Sequence, residues 1–251
     1  MTHSGSTAAR TGDGARSEFA FWRDHTTISL QPVAAPSILG LYGFAVATFM
    51  VAANLAGWYG DGINTPLILF PFVLTFGGIA QLLAAMWAYR ARDGLATGIH
   101  GAWGSFWIAY GIYQLLVALA VLPPPAANVD AAVAFGYWFI GLAAITWVGF
   151  VAALAENLAN SLFLLALAAG STLLAIGFTT AISGLVIVGA ILWIASAVLA
   201  WYIASAMVLQ SSTKRVMLPM GARGQPQAPG AFVPRQPIQY EAGEPGVKIG
   251  Q

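Results

Sequence analysis

Six apolar runs divide the chain, at roughly Pro36–Trp58, Pro66–Tyr89, Thr97–Leu122, Ala131–Leu154, Leu158–Thr180 and Leu185–Leu209. Each holds more than about 20 residues, and at about 1.5 Å per residue a helix of that length crosses about 30 Å of hydrocarbon. Polar or helix-breaking stretches part them: YGDGINTP, RARDGLA, PPPAANVD, AENLAN and ISG. The fourth is short and polar rather than charged, and the fifth is shorter still, so those two junctions are drawn least sharply. The pattern predicts an all-α membrane protein with six transmembrane helices per subunit.

Composition agrees with the pattern. Hydrophobic residues make up 59% of the 251 and charged residues only 8%, against about 25% charged in soluble domains. So few charges cannot coat a soluble globule of this size. Charge also orients the runs. Arg10, Arg16 and Arg23 precede the first run, Arg90 and Arg92 follow the second, and Lys214, Arg215, Arg223, Arg235 and Lys248 follow the sixth. In a six-span arrangement all ten Lys and Arg fall on one side, so both termini are expected in the cytoplasm of a cell-membrane protein.

The ends differ from the middle. Residues 1–34 are polar and mixed in charge, and residues 222–251 are rich in Gly, Pro and Gln. Neither holds enough apolar surface to fold, so both are expected to be disordered cytoplasmic tails flanking a six-helix membrane domain at 35–221. The stretch ARSEFAFWRDH has an alternative, a short amphipathic helix on the membrane surface. The first apolar run stands too far behind the start to suit a cleaved signal peptide. There is no convincing internal repeat.

Candidate chemistry is sparse. There is no cysteine, which excludes a disulfide framework, Cys-ligated zinc, an iron–sulfur cluster or a thiol nucleophile. No basic patch interleaved with aromatics suggests nucleic acid, and no nucleophile–base pair or metal cluster suggests an enzyme. No Asp, Glu, Lys or Arg lies inside the runs; Asp61, Asp93, Asp130 and Glu156 all sit at their ends. A carboxylate relay at depth is therefore disfavoured. His100 is the one histidine near the membrane, and hydration or a backbone bond is its ordinary reading, a proton shuttle the sharper one.

Neutral polar groups at depth include Thr48, Asn54, Gln81 and Ser105. A membrane hydroxyl commonly bonds its own backbone four residues back, whereas Asn54 and Gln81 are costly to leave facing lipid and should face the bundle interior. Gly94, Gly98, Gly101 and Gly104 form a small-residue stripe suited to close helix approach, within a subunit or between subunits. The stretch APSILGLYGF (35–44) starts the first run on Pro36, which suits the first helical position. With Ser37 behind it, the helix start leaves amides that would favour an anion.

These motifs resemble the acetate uptake transporter family. APSILGLYGF is similar to the family signature NPAPLGL with a Phe two residues beyond it, FGGIAQ (76–81) to YGGIAQ, and GAWGSFW (101–107) to the YGSFW element. LLAIG (173–177) and RVMLPMG (215–221), the latter like RTVLPxG, follow in the family's order. The resemblance implies a six-helix subunit in a homohexamer, with a cofactor-free and metal-free path for small carboxylates through each subunit. It also implies a hydrophobic constriction at Phe44, Trp103 and Leu167; from the neutral polar residues themselves, Ser37, Thr48, Asn54, Gln81 and Ser105 are candidate polar lining, with packing between helices the alternative for Asn54 and Gln81. Three positions depart from the pattern: Ala35 and Ile38 replace the signature's Asn and second Pro, Trp103 replaces a Tyr, and Met207 stands where a bacterial member carries a glutamate.

The function expected is channel-like, proton-coupled or uncoupled passage of acetate. The alternatives are a pore for succinate, lactate, formate or ammonium, and a non-conducting scaffold or sensor.

Overall fold

The computed structural model describes residues 33–221. Six helical segments lie on the six apolar runs: α1 (Ser37–Leu55), α2 (Asn64–Ala91), α3 (Gly94–Ala118), α4 (Val129–Ala153), α5 (Leu158–Thr180) and α6 (Ser183–Thr213). Five of them are long and apolar enough to cross a membrane; α3 is outside that set. Its 25 residues are long enough, but Thr97, His100 and Gln114 lower its apolarity, and His100 and Gln114 are buried. The helix that spends polar side chains on the interior is the one that reads least like lipid solvent.

Local chemistry sets the helix starts. Asp93 accepts the Ala96 amide at 2.9 Å, Asn128 the Ala131 amide at 2.9 Å and Asn157 the Asn160 amide at 2.8 Å, so α3, α4 and α5 each begin on a side-chain cap. The RVMLPMG segment folds back onto α5, where the Leu158 and Ala159 amides donate to Gly221 and Met220 carbonyls at 3.0 Å. The start of α1 corrects one expectation. Pro36 gives no side-chain cap, yet the Ile38 and Leu39 amides turn back onto the Ala35 and Pro36 carbonyls at 3.2 and 3.1 Å. Those amides are not bare for an anion.

Inside α2, Pro71 removes a backbone donor, and the helix widens to a π-helical segment over Val73–Ala80. Missing donors and π-bulges go together where a helix must re-aim its face. Here the widened turn carries Gly77 against α1 and α3. A Cβ on Gly77 would stand 2.6 Å from Ala47 Cβ and 2.7 Å from Trp107 Cγ, and one on Gly43 would stand 2.4 Å from the Phe76 carbonyl oxygen. Only glycine permits these crossings.

Each helix packs on its chain neighbours and α6 closes on α1, so the six form a ring. Val148, Val151, Ile68 and Leu83 point outward and are exposed, as an outer face in lipid requires. Trp58, Trp87 and Tyr89 are exposed near helix ends, and Trp201 is exposed within α6. Of the expected glycine stripe, Gly104 packs closely, with its would-be Cβ 2.8 Å from the Leu82 amide, while Gly94 and Gly98 face open space. The tails at 1–34 and 222–251, including the expected surface helix, lie outside the described residues except for Val33 and Ala34.

Candidate functional site: two vestibules and an aromatic barrier

Helical periodicity brings Phe44 of α1, Trp103 of α3 and Leu167 of α5 to the ring interior, where they are 1%, 0% and 0% exposed. Phe44 meets Trp103 edge-on, centroids 5.8 Å apart, and meets Phe163 at 5.3 Å. Trp103 in turn meets Phe106 at 5.4 Å and Trp193 at 5.3 Å. Edge-to-face contacts of this kind add about 0.5–1.5 kcal/mol each beyond burial. The result is a plug of packed aromatic rings inside the helix ring.

Hydroxyls on neighbouring helices pin the plug. Trp103 Nε1 donates to Thr146 Oγ1 at 3.1 Å, and that hydroxyl donates to the Leu142 carbonyl at 2.6 Å. Trp193 Nε1 donates to Ser171 Oγ at 3.1 Å, and Ser171 donates to the Leu167 carbonyl at 2.7 Å. The indole N–H of Trp103 is thus committed to α4 and is not presented along the axis.

A cavity lies at each end of the plug. The first, of about 220 Å³, is bounded by Ser37, Asp93, His100, Glu156, Asn160 and Phe163 among others; it is called the charged vestibule below. The second, of about 100 Å³, is bounded by Asn54, Phe106, Tyr110, Gln114, Phe135 and Trp193 among others; it is the aromatic vestibule. Helix starts α1, α3 and α5 gather at the first, and the ends of α1 and α3 at the second, so the two stand at opposite ends of the ring. Phe163 floors one, Phe106 and Trp193 floor the other, and both floors rest on the Phe44–Trp103 pair.

Electrostatics separate the vestibules further. No Lys or Arg lines either one. In the charged vestibule, Glu156 Oε2 accepts from Asn160 Nδ2 at 2.7 Å. Burial pushes the Glu156 carboxyl above its usual range, the Asn160 bond partly offsets this, and the charge of Asp93 adds to it. Beyond the aromatic vestibule, the Asn64 and Ile63 amides and the Asn64 side chain hold Asp61 below the usual carboxylate range.

The expected lining residues separate into distinct settings. Ser37 lines the charged vestibule and Asn54 the aromatic one, although the Asn54 amide also donates to the Tyr59 and Asp61 carbonyls at 2.9 and 3.1 Å. Thr48 is fully buried beside the plug with no hydrogen-bond partner among the described residues. Gln81 is fully buried, its Nε2 lying 3.4 Å from His100 Nδ1 and its Oε1 unpartnered. Ser105 is a correction: it is exposed on the outside of the ring. Two residues past Trp103 on a helix is a turn of about 200°, which carries Ser105 to the opposite face.

His100 is a second correction to the ordinary reading. It is only 3% exposed, and its ring fills the space over Gly40, where a Cβ would stand 2.6 Å from the ring atoms. Phe163, Trp193 and Glu156 were not singled out from the sequence as site residues. Phe163 and Trp193 stand in apolar runs with no motif around them, and Glu156 reads as one loop acid among several.

A ring of six helices, apolar outside and built around an occluded axis, defines a multi-pass membrane protein. Comparison with known proteins names its family. Residues 21–222 match the GPR1/FUN34/yaaH family, and the chain belongs to it. Acetate permease A of Emericella nidulans is 25% identical over 78% of this chain and 68% of its own length. Ammonia transport outward protein 2 of Saccharomyces cerevisiae is 25% identical over 74% of this chain and 65% of its own. The chain thus spans about two thirds of these relatives. Succinate-acetate/proton symporter SatP of Escherichia coli is 30% identical over 36% of this chain and 43% of its own. The solved structure of the bacterial acetate channel SatP superposes with a TM-score of 0.68 at 24% identity, covering 76% of this chain and all of that one, so the fold is shared.

Proposed function

We propose that this chain carries acetate and related small carboxylates across a membrane, along the axis of its own helix ring. The observation that carries the reading is the pair of vestibules at opposite ends of the ring, parted by the Phe44–Trp103 plug. Relatives named for acetate support the choice of cargo.

In this reading α3 crosses with the five more apolar helices, because it stands in the ring between α2 and α4. The termini then share the side where the cations gather, the cytoplasm. The ring at 35–221 is the transporter domain, the tails lie outside it, and the subunit assembles as a homohexamer, as the family resemblance implies. Phe44, Trp103 and Leu167 form the constriction. Ser37, Thr48, Asn54 and Gln81 supply neutral polar groups along the way.

The physics suits a small cargo with one polar end. A methyl-sized tail passes an apolar ring that dewets, while hydroxyl and amide groups replace water around the carboxylate. Larger acids meet the closed plug first. A small neutral base such as ammonia satisfies the same constraint, and one relative is named for its transport.

The test is reconstitution. Purified protein in liposomes should take up labelled acetate several-fold faster than empty vesicles, with unlabelled acetate competing better than succinate, lactate, formate or ammonium. Uptake no faster than through empty vesicles overturns the proposal; stronger competition by ammonium moves the cargo to the base.

A further inference from the structure

We infer that His100 is the proton donor that converts a carboxylate in the charged vestibule to its neutral acid before the aromatic plug. The inference rests on the carboxylate reading above and specifies the form in which the cargo moves.

Position comes first. His100 lines the charged vestibule together with Phe163, whose ring meets Phe44 of the plug. Among the described residues it is the one side chain bounding either vestibule that becomes a cation on protonation. A carboxylate that has passed Asp93 and Glu156 meets no Lys or Arg there. The plug beyond it offers rings whose N–H donors, at Trp103 and Trp193, are already bonded to Thr146 and Ser171. An anion taken into such a plug would exchange its full hydration shell for the two buried donors left unpartnered there among the described residues, the Trp107 indole N–H and the Thr48 hydroxyl, a net cost of several kcal/mol.

Orientation comes second. Gln81 Nε2 lies 3.4 Å from Nδ1 of the ring, and Gly40, with no Cβ, leaves room for the imidazole on its other side. With Nδ1 accepting from the Gln81 amide, the neutral ring keeps its proton on Nε2. A second proton, taken from a hydronium ion in the vestibule, makes the ring cationic at Nδ1 and turns that Gln81 contact toward Oε1. Gln81 Oε1 is fully buried and otherwise unpartnered, so the acceptor a protonated ring needs is already in place. The groups facing His100 are Asp93 on its own helix, Glu156 in the α4–α5 connection, and neutral side chains elsewhere: Ser37 on α1, Gln81 on α2, Asn160 on α5 and Met207 on α6.

The step balances. A hydronium ion at the mouth gives a proton to the imidazole and is left as water, and the imidazolium gives up its Nε2 proton to a carboxylate oxygen. The N–H bond breaks as the O–H bond forms, and the ring returns to neutral with its remaining proton on Nδ1, donated to Gln81 Oε1; the next proton from the vestibule adds at Nε2. An imidazolium–carboxylate pair against an apolar wall removes both charges by this transfer, which low dielectric favours. The neutral acid then crosses the plug, and one proton travels with each carboxylate. No ionisable group is needed inside the barrier.

The experiment uses the full chain in liposomes, with membrane voltage clamped and labelled acetate uptake measured from external pH 5 to 8, empty vesicles subtracted. Wild type should show uptake that rises toward acid pH and ignores voltage. His100→Gln keeps a neutral polar side chain against Gln81; it should lose about tenfold or more of the acid-side uptake, within the range for removing a general acid. Its residual flux should follow voltage as an anion does. His100→Phe, with a ring of similar size, should behave alike and guards against a packing defect in the first variant. An unchanged pH profile in either variant overturns the inference, as does a uniform fall at every pH, the mark of a merely structural residue. Wild-type uptake equal to empty vesicles sinks the carboxylate reading itself and is distinguishable from both.

Discussion

The two vestibules share a ring and a plug, yet they are built from different chemistry. The charged vestibule is bounded by helix starts and carries Asp93, His100 and Glu156; the aromatic vestibule carries Tyr110, Phe135 and Trp193 and no carboxylate or imidazole. The first is held by polar pairs such as Gln81–His100 and Asn160–Glu156. The second is held by rings, with Phe139 stacked on Phe178 at 5.7 Å and Tyr113 edge-on to Phe135 at 4.9 Å. One end is therefore able to change a cargo's charge, and the other only sieves what arrives. An axis of this kind sorts chemistry by depth rather than spreading it along a uniform pore.

The largest way to break that contrast is to merge the vestibules. Trp103→Ala removes the ring that both floors rest on and leaves a cavity, costing about 3–5 kcal/mol of stability. If the variant is recovered, labelled butyrate uptake into liposomes should rise relative to acetate, because the bore widens. Phe44→Ala, a smaller ring with fewer aromatic neighbours, should do the same to a lesser degree. Unchanged chain-length selectivity in both would remove Phe44 and Trp103 from the constriction.

A subtler intervention leaves the rings and loosens one pin. Thr146→Val matches the shape of threonine but removes the acceptor of the Trp103 N–H in a fully buried setting. An orphaned buried donor costs about 1–3 kcal/mol. A lowered melting temperature in detergent, with acetate still preferred over butyrate, is the expected outcome. If stability is unchanged, the indole is held by packing alone.

The periodicity of apolar residues sufficed for the six helices, since a 20-residue apolar run has few alternatives in lipid. Their pairing into a ring was less legible, because glycines such as Gly43, Gly77 and Gly104 announce close packing without naming the partner. Motif resemblance reached Phe44, Trp103 and Leu167, and the structure buries all three. It did not reach Phe163 and Trp193, which have no motif, or Thr146, whose value depends on a tryptophan 43 residues away. Ser105 went wrong for a plain reason: it belongs to a motif whose neighbours face inward, and one helical residue later the face has turned. His100 was read as an interfacial group because its neighbour Gly40, which makes room for it, lies on another helix.

The smallest effect falls on the charged vestibule, at Glu156. Its carboxyl titrates above the usual range because burial disfavours the anion, with Asp93 adding repulsion and Asn160 opposing it. A carboxyl raised in the folded state binds its proton more tightly there than in the unfolded chain. The stability it contributes is thus fully present below the unfolded value of about 4.3 and is lost as pH rises through the raised folded one. Glu156→Gln keeps the oxygen that accepts from Asn160 and removes the charge. The variant should gain on wild type at neutral pH by no more than about 0.5 kcal/mol, since the carboxyl is only half-buried and solvent screens it, and should lose that gain in acid. Melting curves from pH 4 to 8 check the sign. A gain that grows toward acid pH would mean that the carboxylate is stabilised at the mouth, and the contrast between the vestibules would then rest on His100 alone.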